Sequence, residues 1–101
     1  MEVYLPLSRF FNAIEDDAKI NTTHISLYMA LLQQWNLNGG ESPFEITRHV
    51  VMRAAKINSR HTYNLCMRFL HEAGYINYFP STNSCRQSRV YIRLLNGKSQ
   101  E

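Results

Sequence analysis

Between Ser59 and Gly74 the chain spaces Arg60, His61, Asn64, Arg68 and His71 along one side of a helical wheel. Tyr63, Cys66, Met67, Leu70 and Ala73 fall within roughly 80° of a direction on the other side, taking about 100° per residue. The apolar stripe suits a core. The polar one carries forked cations, an imidazole and a carboxamide, which are the groups that read nucleic acid. Arginine forks onto guanine O6 and N7, asparagine pairs with adenine, and cations neutralise phosphates. Leu65 projects near the polar face, either as a rim contact with the core or as a partner for a thymine methyl. A solvated amphipathic helix is the plainer reading, but Glu72 is the one acid available to balance the stripe, and that shortage favours a polyanion.

A second basic segment follows. Between Phe79 and Val90 lie Asn83, Arg86, Gln87 and Arg89, with no acid among them. Arg86 is the candidate for a flanking minor groove and Arg89 for a phosphate. Arg48, at the start of the preceding helix, is a further backbone contact, with Arg53 and Lys56 behind it. Together with Ser59, which opens the helix, the expected DNA-contacting set is Arg48, Ser59, Arg60, His61, Asn64, Arg68, Arg86 and Arg89. Charge along the chain agrees. Residues 1–40 hold two cations against four acids, a net of −2, whereas residues 46–93 hold eight cations, seven of them arginine, against Glu72 alone, a net of +7. The arginine bias suits phosphate and base recognition.

The elements that must position these residues can be traced from one end. The chain has 101 residues, one domain's worth, with 45% hydrophobic and 19% charged residues, a globular composition. Leu7, Phe10, Phe11, Ile14 and Ala18 recur at helical spacing and predict a first helix over 5–19, although Glu15-Asp16-Asp17 would oppose the macrodipole at its end, so the helix ends early unless packing overrides the dipole. Asn21-Thr22-Thr23 offers caps for a second helix over 23–37, with Ile25, Tyr28, Leu31, Leu32 and Trp35 inward and Asn38-Gly39-Gly40 as the stop. Residues 42–46 read as a brief strand. Thr47 can cap a third helix to about Ala55, with Val50, Val51 and Ala54 inward. Lys56-Ile57-Asn58 reads as a turn, and Ser59 as the cap of a fourth helix to Ala73, stopped by Gly74. Strands are expected over 75–79 and 88–94, with a polar tail over 95–101.

Other chemistries are poorly served. His61, Cys66 and His71 are five residues apart, so on a helix they diverge rather than converge on a metal. Glu15, Asp16 and Asp17 have no third catalytic group or glycine-rich loop beside them, and Ser26, Ser42, His24 and His49 sit in no nucleophile motif. The expectation is a non-enzyme with no metal and no cofactor. No apolar run approaches the ~18 residues of a membrane span, no secretory signal is visible at the start, and Cys66 and Cys85 form no C-x-x-C pair. These features point to a cytoplasmic protein with reduced thiols.

Helix, helix, short strand, helix, turn, helix, strand, loop, strand is the plan of a winged helix-turn-helix, here a mainly α fold with a small β-hairpin (α+β) and an extra N-terminal helix. Leu70-His71-Glu72-Ala73-Gly74-Tyr75-Ile76 resembles the ending found after recognition helices in many such proteins. Phe10-Phe11, the run from His24 to Leu31 leading to Trp35-Asn36, Lys56-Ile57-Asn58-Ser59, Thr62-Tyr63 and Gly74-Tyr75-Ile76-Asn77-Tyr78 with Pro80-Ser81 extend the likeness. Over residues 10–94 the chain resembles the small winged-helix proteins carried by conjugative and mobilizable elements of Bacteroides-type bacteria, described as transcriptional regulators or excisionase-like accessory factors. The resemblance implies double-stranded DNA as partner, no catalysis by this chain, and a recombinase or the transcription machinery acting beside it. The segment from Asn83 to Gln87 departs from the pattern in lacking a glycine. Alternatives stay open: a winged-helix module that binds protein instead of DNA, and a first helix whose Phe10, Phe11 and Ile14 either cover the domain's own core or pair with a second copy to make a homodimer.

Overall fold

The computed structural model describes residues 4–81 and 87–93. Within them lie α1 (Tyr4–Ile14), α2 (Thr22–Leu37), β1 (Phe44–Ile46), α3 (Arg48–Ala55), α4 (Arg60–Glu72), β2 (Ile76–Phe79) and β3 (Ser88–Ile92). The described residues form an α+β domain of four helices and one antiparallel sheet in the order β1-β3-β2. The polar tail expected over 95–101 lies outside the described residues.

The first helix is shorter than its periodicity predicts. It stops at Ile14, where the Asp17 backbone N–H donates to the Ile14 carbonyl at 2.9 Å and turns the chain. Carboxylates at 15–17 would face the negative end of the helix. Outside the helix, the Asp17 carboxylate instead accepts from the Tyr75 hydroxyl at 2.8 Å and the Lys19 backbone N–H at 3.0 Å. Those two bonds, the Tyr75 bond foremost, hold Asp17 below its ordinary carboxylate pKa. Ala18 is exposed. What remains of α1 is nevertheless part of the core. Phe10 is fully buried, stacked on Tyr28 with ring centroids 3.8 Å apart and planes 8° from parallel, and set edge-on to Tyr75 at 5.4 Å.

Helix α2 is the central element. Leu27, Tyr28, Ala30, Leu31 and Leu32 are buried, while Ile25 and Trp35 are half-buried. The inward arc is therefore wider than a single stripe, because α2 meets α1, α3, α4 and β1 on different sides. The Tyr28 hydroxyl is buried without a hydrogen-bond partner among the described residues, and burial pushes its pKa up. Tyr28→Phe deletes an unpaired polar group and keeps the ring. Its unfolding free energy, measured by chemical denaturation, should be unchanged or up to about 1 kcal/mol higher. A loss beyond about 1 kcal/mol would reveal a partner for the hydroxyl.

The N-terminus of α2 is capped reciprocally. The Asn21 side chain accepts from the His24 backbone N–H at 3.1 Å, and His24 Nδ1 accepts from the Asn21 backbone N–H at 3.0 Å. His24 thus stands where a capping box ordinarily has Glu or Gln. Its ring stacks on Phe69 of α4 at 4.4 Å. Burial lowers its pKa, against a smaller opposing pull from Asp17, and protonation would remove the Nδ1 acceptor. With a folded pKa below the ordinary value of about 6.5, the unfolded chain takes up the proton first. Stability is then fully present above about pH 6.5 and is lost as the pH falls from there through the folded pKa. Thermal melts should show this decline, and His24→Gln should flatten it over the same interval.

Helix α3 buries Val51 and Ala55, whereas Val50 and Ala54, expected inward, are exposed. This short helix packs chiefly on α2 through one narrow strip, and Val50 and Ala54 lie off it. The Ser26 hydroxyl donates to the Ala55 carbonyl, tying the end of α3 to α2. Lys56 takes the left-handed conformation at φ 63°, and the Ile57 N–H reaches back to the Met52 carbonyl at 2.9 Å. At the end of α4, Gly74 has φ 90°, its N–H bonds the His71 carbonyl at 3.1 Å, and the Tyr75 N–H bonds the Leu70 carbonyl at 2.9 Å. This is a Schellman closure, and the buried Leu70 and Tyr75 supply its hydrophobic contact. Ala73, placed on the apolar stripe by the wheel, is exposed because that closure ends the helix before it.

The sheet alternates cleanly. Phe44, Ile46, Ile76, Val90 and Ile92 are buried against the helices. Glu45 pairs with Arg89, Asn77 with Tyr91 and Phe79 with Arg89 in the alternate registers, on the outward face. Both strands are shorter than expected at their distal ends, since the Tyr75 N–H serves the helix closure and β3 ends at Ile92.

Candidate nucleic-acid interface

Helix α4 is fixed before it presents anything. Ser59 adopts extended backbone at the N-cap, and its Oγ accepts from the Thr62 N–H at 3.1 Å. Its hydroxyl proton stays available to a phosphate oxygen while the oxygen caps the helix. Tyr63, Cys66, Met67 and Leu70 are buried, and these four anchors lock the rotation of the helix about its axis.

That rotation turns Arg60, His61, Asn64 and Arg68 outward. All four are exposed, and none makes a side-chain hydrogen bond or ion pair with a described residue. Leu65 stands among them, 47% exposed, so it is no rim contact of the core. His71 leaves the group: its Nδ1 accepts from the Tyr78 backbone N–H at 3.0 Å and braces α4 against β2. Only a contact formed in the folded chain reveals that role.

Arg48 joins from α3. It is exposed at the first turn, close enough that its charge acts on the Tyr63 hydroxyl, partly offsetting the upward push of burial and of Tyr78. Next to it, Thr47 occupies the N-cap of α3 without a capping bond from its side chain. The Thr47 hydroxyl accepts instead from Gln87 Nε2 at 2.7 Å, which ties the base of the β2–β3 connection to the start of α3. The Ser81 N–H bonds Ser88 Oγ at 3.1 Å across the same base. Sequence reasoning missed the Thr47–Gln87 link because the partners are forty residues apart.

Two expected contacts fare differently. Arg86, with Asn83 and Cys85, lies outside the described residues. Arg89 is exposed, but the period of β3 sends it to the outward face of the sheet, across from Glu45 and Phe79. The acidic segment at 15–17 does not neutralise Arg60. Asp17 bonds Tyr75, just past the C-terminus of α4, about 18 Å along the axis from Arg60 at 1.5 Å per residue.

No protein-family model, curated protein or solved structure matches the chain. Among the described residues no three His, Cys, Asp or Glu side chains converge as a metal site, and no helix is long and apolar enough to cross a membrane. Cys66 is a buried free thiol whose pKa burial raises. The described residues thus place an exposed stripe of hydrogen-bonding and cationic groups on a helix whose opposite face is buried, with Arg48 exposed on α3.

Proposed function

We propose that the chain is a winged helix-turn-helix protein that reads double-stranded DNA, with α3 and α4 as the helix-turn-helix, α4 as the recognition helix and the β2–β3 hairpin as the wing. The observation that carries the reading is the outward set Arg60, His61, Asn64 and Arg68, without intramolecular partners among the described residues, on a helix whose opposite face is buried. The order of elements and the sheet order β1-β3-β2 are compatible with it. In this reading α4 lies in the major groove, Arg48 and the Ser59 hydroxyl meet phosphates, and Arg86, outside the described residues, is the expected wing contact. The resemblance noted above supports a role in a mobile element, as a regulator of transcription or an accessory factor in excision. The chain would act in the cytoplasm, without a cofactor and without catalysis of its own, beside a recombinase or the transcription machinery.

Binding to a pool of random duplexes tests the reading. The expected result is micromolar or tighter association whose affinity falls steeply with salt, by a slope of about −0.9 per phosphate neutralised. The competing reading, a module that binds protein, draws on Phe11, which is 45% exposed on α1. It expects no salt-sensitive duplex binding at micromolar concentration. A homodimer would show in light scattering and in preference for a repeated or palindromic site.

A further inference from the structure

We propose that the outward face of the sheet, with the depression beside it, is a separate site for single-stranded nucleic acid. Along β3 and one residue beyond, Arg89, Tyr91 and Arg93 recur at every second position, and all three are exposed. The backbone N–H of Arg93 bonds the Tyr75 carbonyl at 3.4 Å, which continues the strand direction. The three residues therefore form a row with about 6.7 Å between successive positions. Phe79 stands beside Arg89 and Asn77 beside Tyr91. Phe79 is 48% and Tyr91 43% exposed.

The row leads into an open depression of about 610 Å³, where Trp35, Asn77, Tyr91 and Arg93 line the wall with Gly40 and Ser42. Ser42 Oγ is engaged, accepting from the Ile92 N–H at 3.1 Å. The side chains of Asn77 and Arg93 make no hydrogen bond with any described residue. Among the described residues Arg93 is the one charged residue of the lining.

Exposed aromatic rings together with a guanidinium and a carboxamide that no described residue engages select a ligand that is flat, anionic and edged with hydrogen-bonding groups. Single-stranded nucleic acid has all three properties. Its unpaired bases stack on aromatic side chains while arginine follows the phosphates. Duplex DNA does not fit, because its bases are already stacked on each other. An acidic peptide could pair with Arg93 but would leave the exposed rings without flat partners to stack on, so the nucleic acid is the better match. This site is distinct from the α4 stripe and does not depend on it.

Trp35 is the only tryptophan in the chain, so its fluorescence reports on the depression directly. The full chain is titrated with a short oligothymidylate, which cannot pair with itself. The expected result is saturable quenching of Trp35 that weakens as salt rises. Tyr91→Ala and Arg93→Ala should each weaken binding about fivefold or more, the fold-change matching about 1 kcal/mol of lost stacking or charge contact. Both positions are exposed, and a thermal melt checks that each variant folds. Arg60→Ala should leave the quenching unchanged even if it abolishes duplex binding, so the two sites fail separately. Absence of quenching and of binding by a labelled oligothymidylate would overturn the proposal. So would unchanged affinity in both sheet variants, loss of binding in Arg60→Ala, or equal quenching by polyglutamate, a polyanion with no bases.

Discussion

Phe10→Ala should cost about 3–5 kcal/mol of unfolding free energy, the usual range for emptying a phenylalanine site in a core. Phe10 is fully buried between the Tyr28 ring, stacked on it at 3.8 Å, and the edge-on Tyr75 ring at 5.4 Å. Removing it opens a void at the junction of α1, α2 and the start of β2, and it leaves both tyrosine rings without their partner. A small domain holds only about 5–15 kcal/mol in total, so this one change should lower the melting midpoint by roughly 10 °C or more. Urea denaturation of the purified variant measures it. A loss under about 1 kcal/mol would mean that α1 docks loosely and that the core closes without it. Phe11→Ala is the matched control. Its ring is 45% exposed, and its truncation should cost far less.

Arg60→Ala and Asn64→Ala should each weaken duplex binding by about 1–3 kcal/mol, some 5- to 150-fold, and relax the base preference at one position of the site. The magnitude rests on two facts. Each side chain is exposed without a partner among the described residues, so those residues take up none of its hydrogen-bonding capacity. Each also sits on a helix held by Tyr63, Cys66, Met67 and Leu70, so little ordering cost is left for the complex. Arg48→Ala should behave differently. A phosphate contact carries no sequence information, so its loss should weaken all duplexes about equally and lower the salt slope by about one. Fluorescence anisotropy at two salt concentrations separates the two behaviours. Stability should stay within about 0.5 kcal/mol in all three variants, as expected of exposed positions.

Much of this arrangement is legible in the chain because its signals are local. The Ser59 cap, the Gly74 stop and the burial of Tyr63, Cys66, Met67 and Leu70 follow from spacing and residue type within one helix. So does the outward stripe on α4. Features that depend on distant contacts are not legible. The early end of α1 at Ile14 is signalled by the carboxylates at 15–17, but the bond that Asp17 makes to Tyr75, 58 residues away, is not. His24, unremarkable in sequence, becomes a capping partner only once Asn21 turns back over it. Leu27 and Ala30 are buried because α2 is enclosed on several sides, which no single-stripe periodicity expresses. Arg89 looks like a wing cation until strand register sets it beside Phe79 and opposite Glu45. A one-residue change of register would have put it on the other face.

Selection of bound duplexes from a random library, run in parallel for the natural chain and Asn64→Ala, tests most directly whether the α4 stripe reads DNA sequence. The expected outcome is one enriched site for the natural chain, and for the variant the same site with the preference lost at a single base pair. An unenriched pool for the natural chain, or an identical site recovered by both proteins, would contradict it.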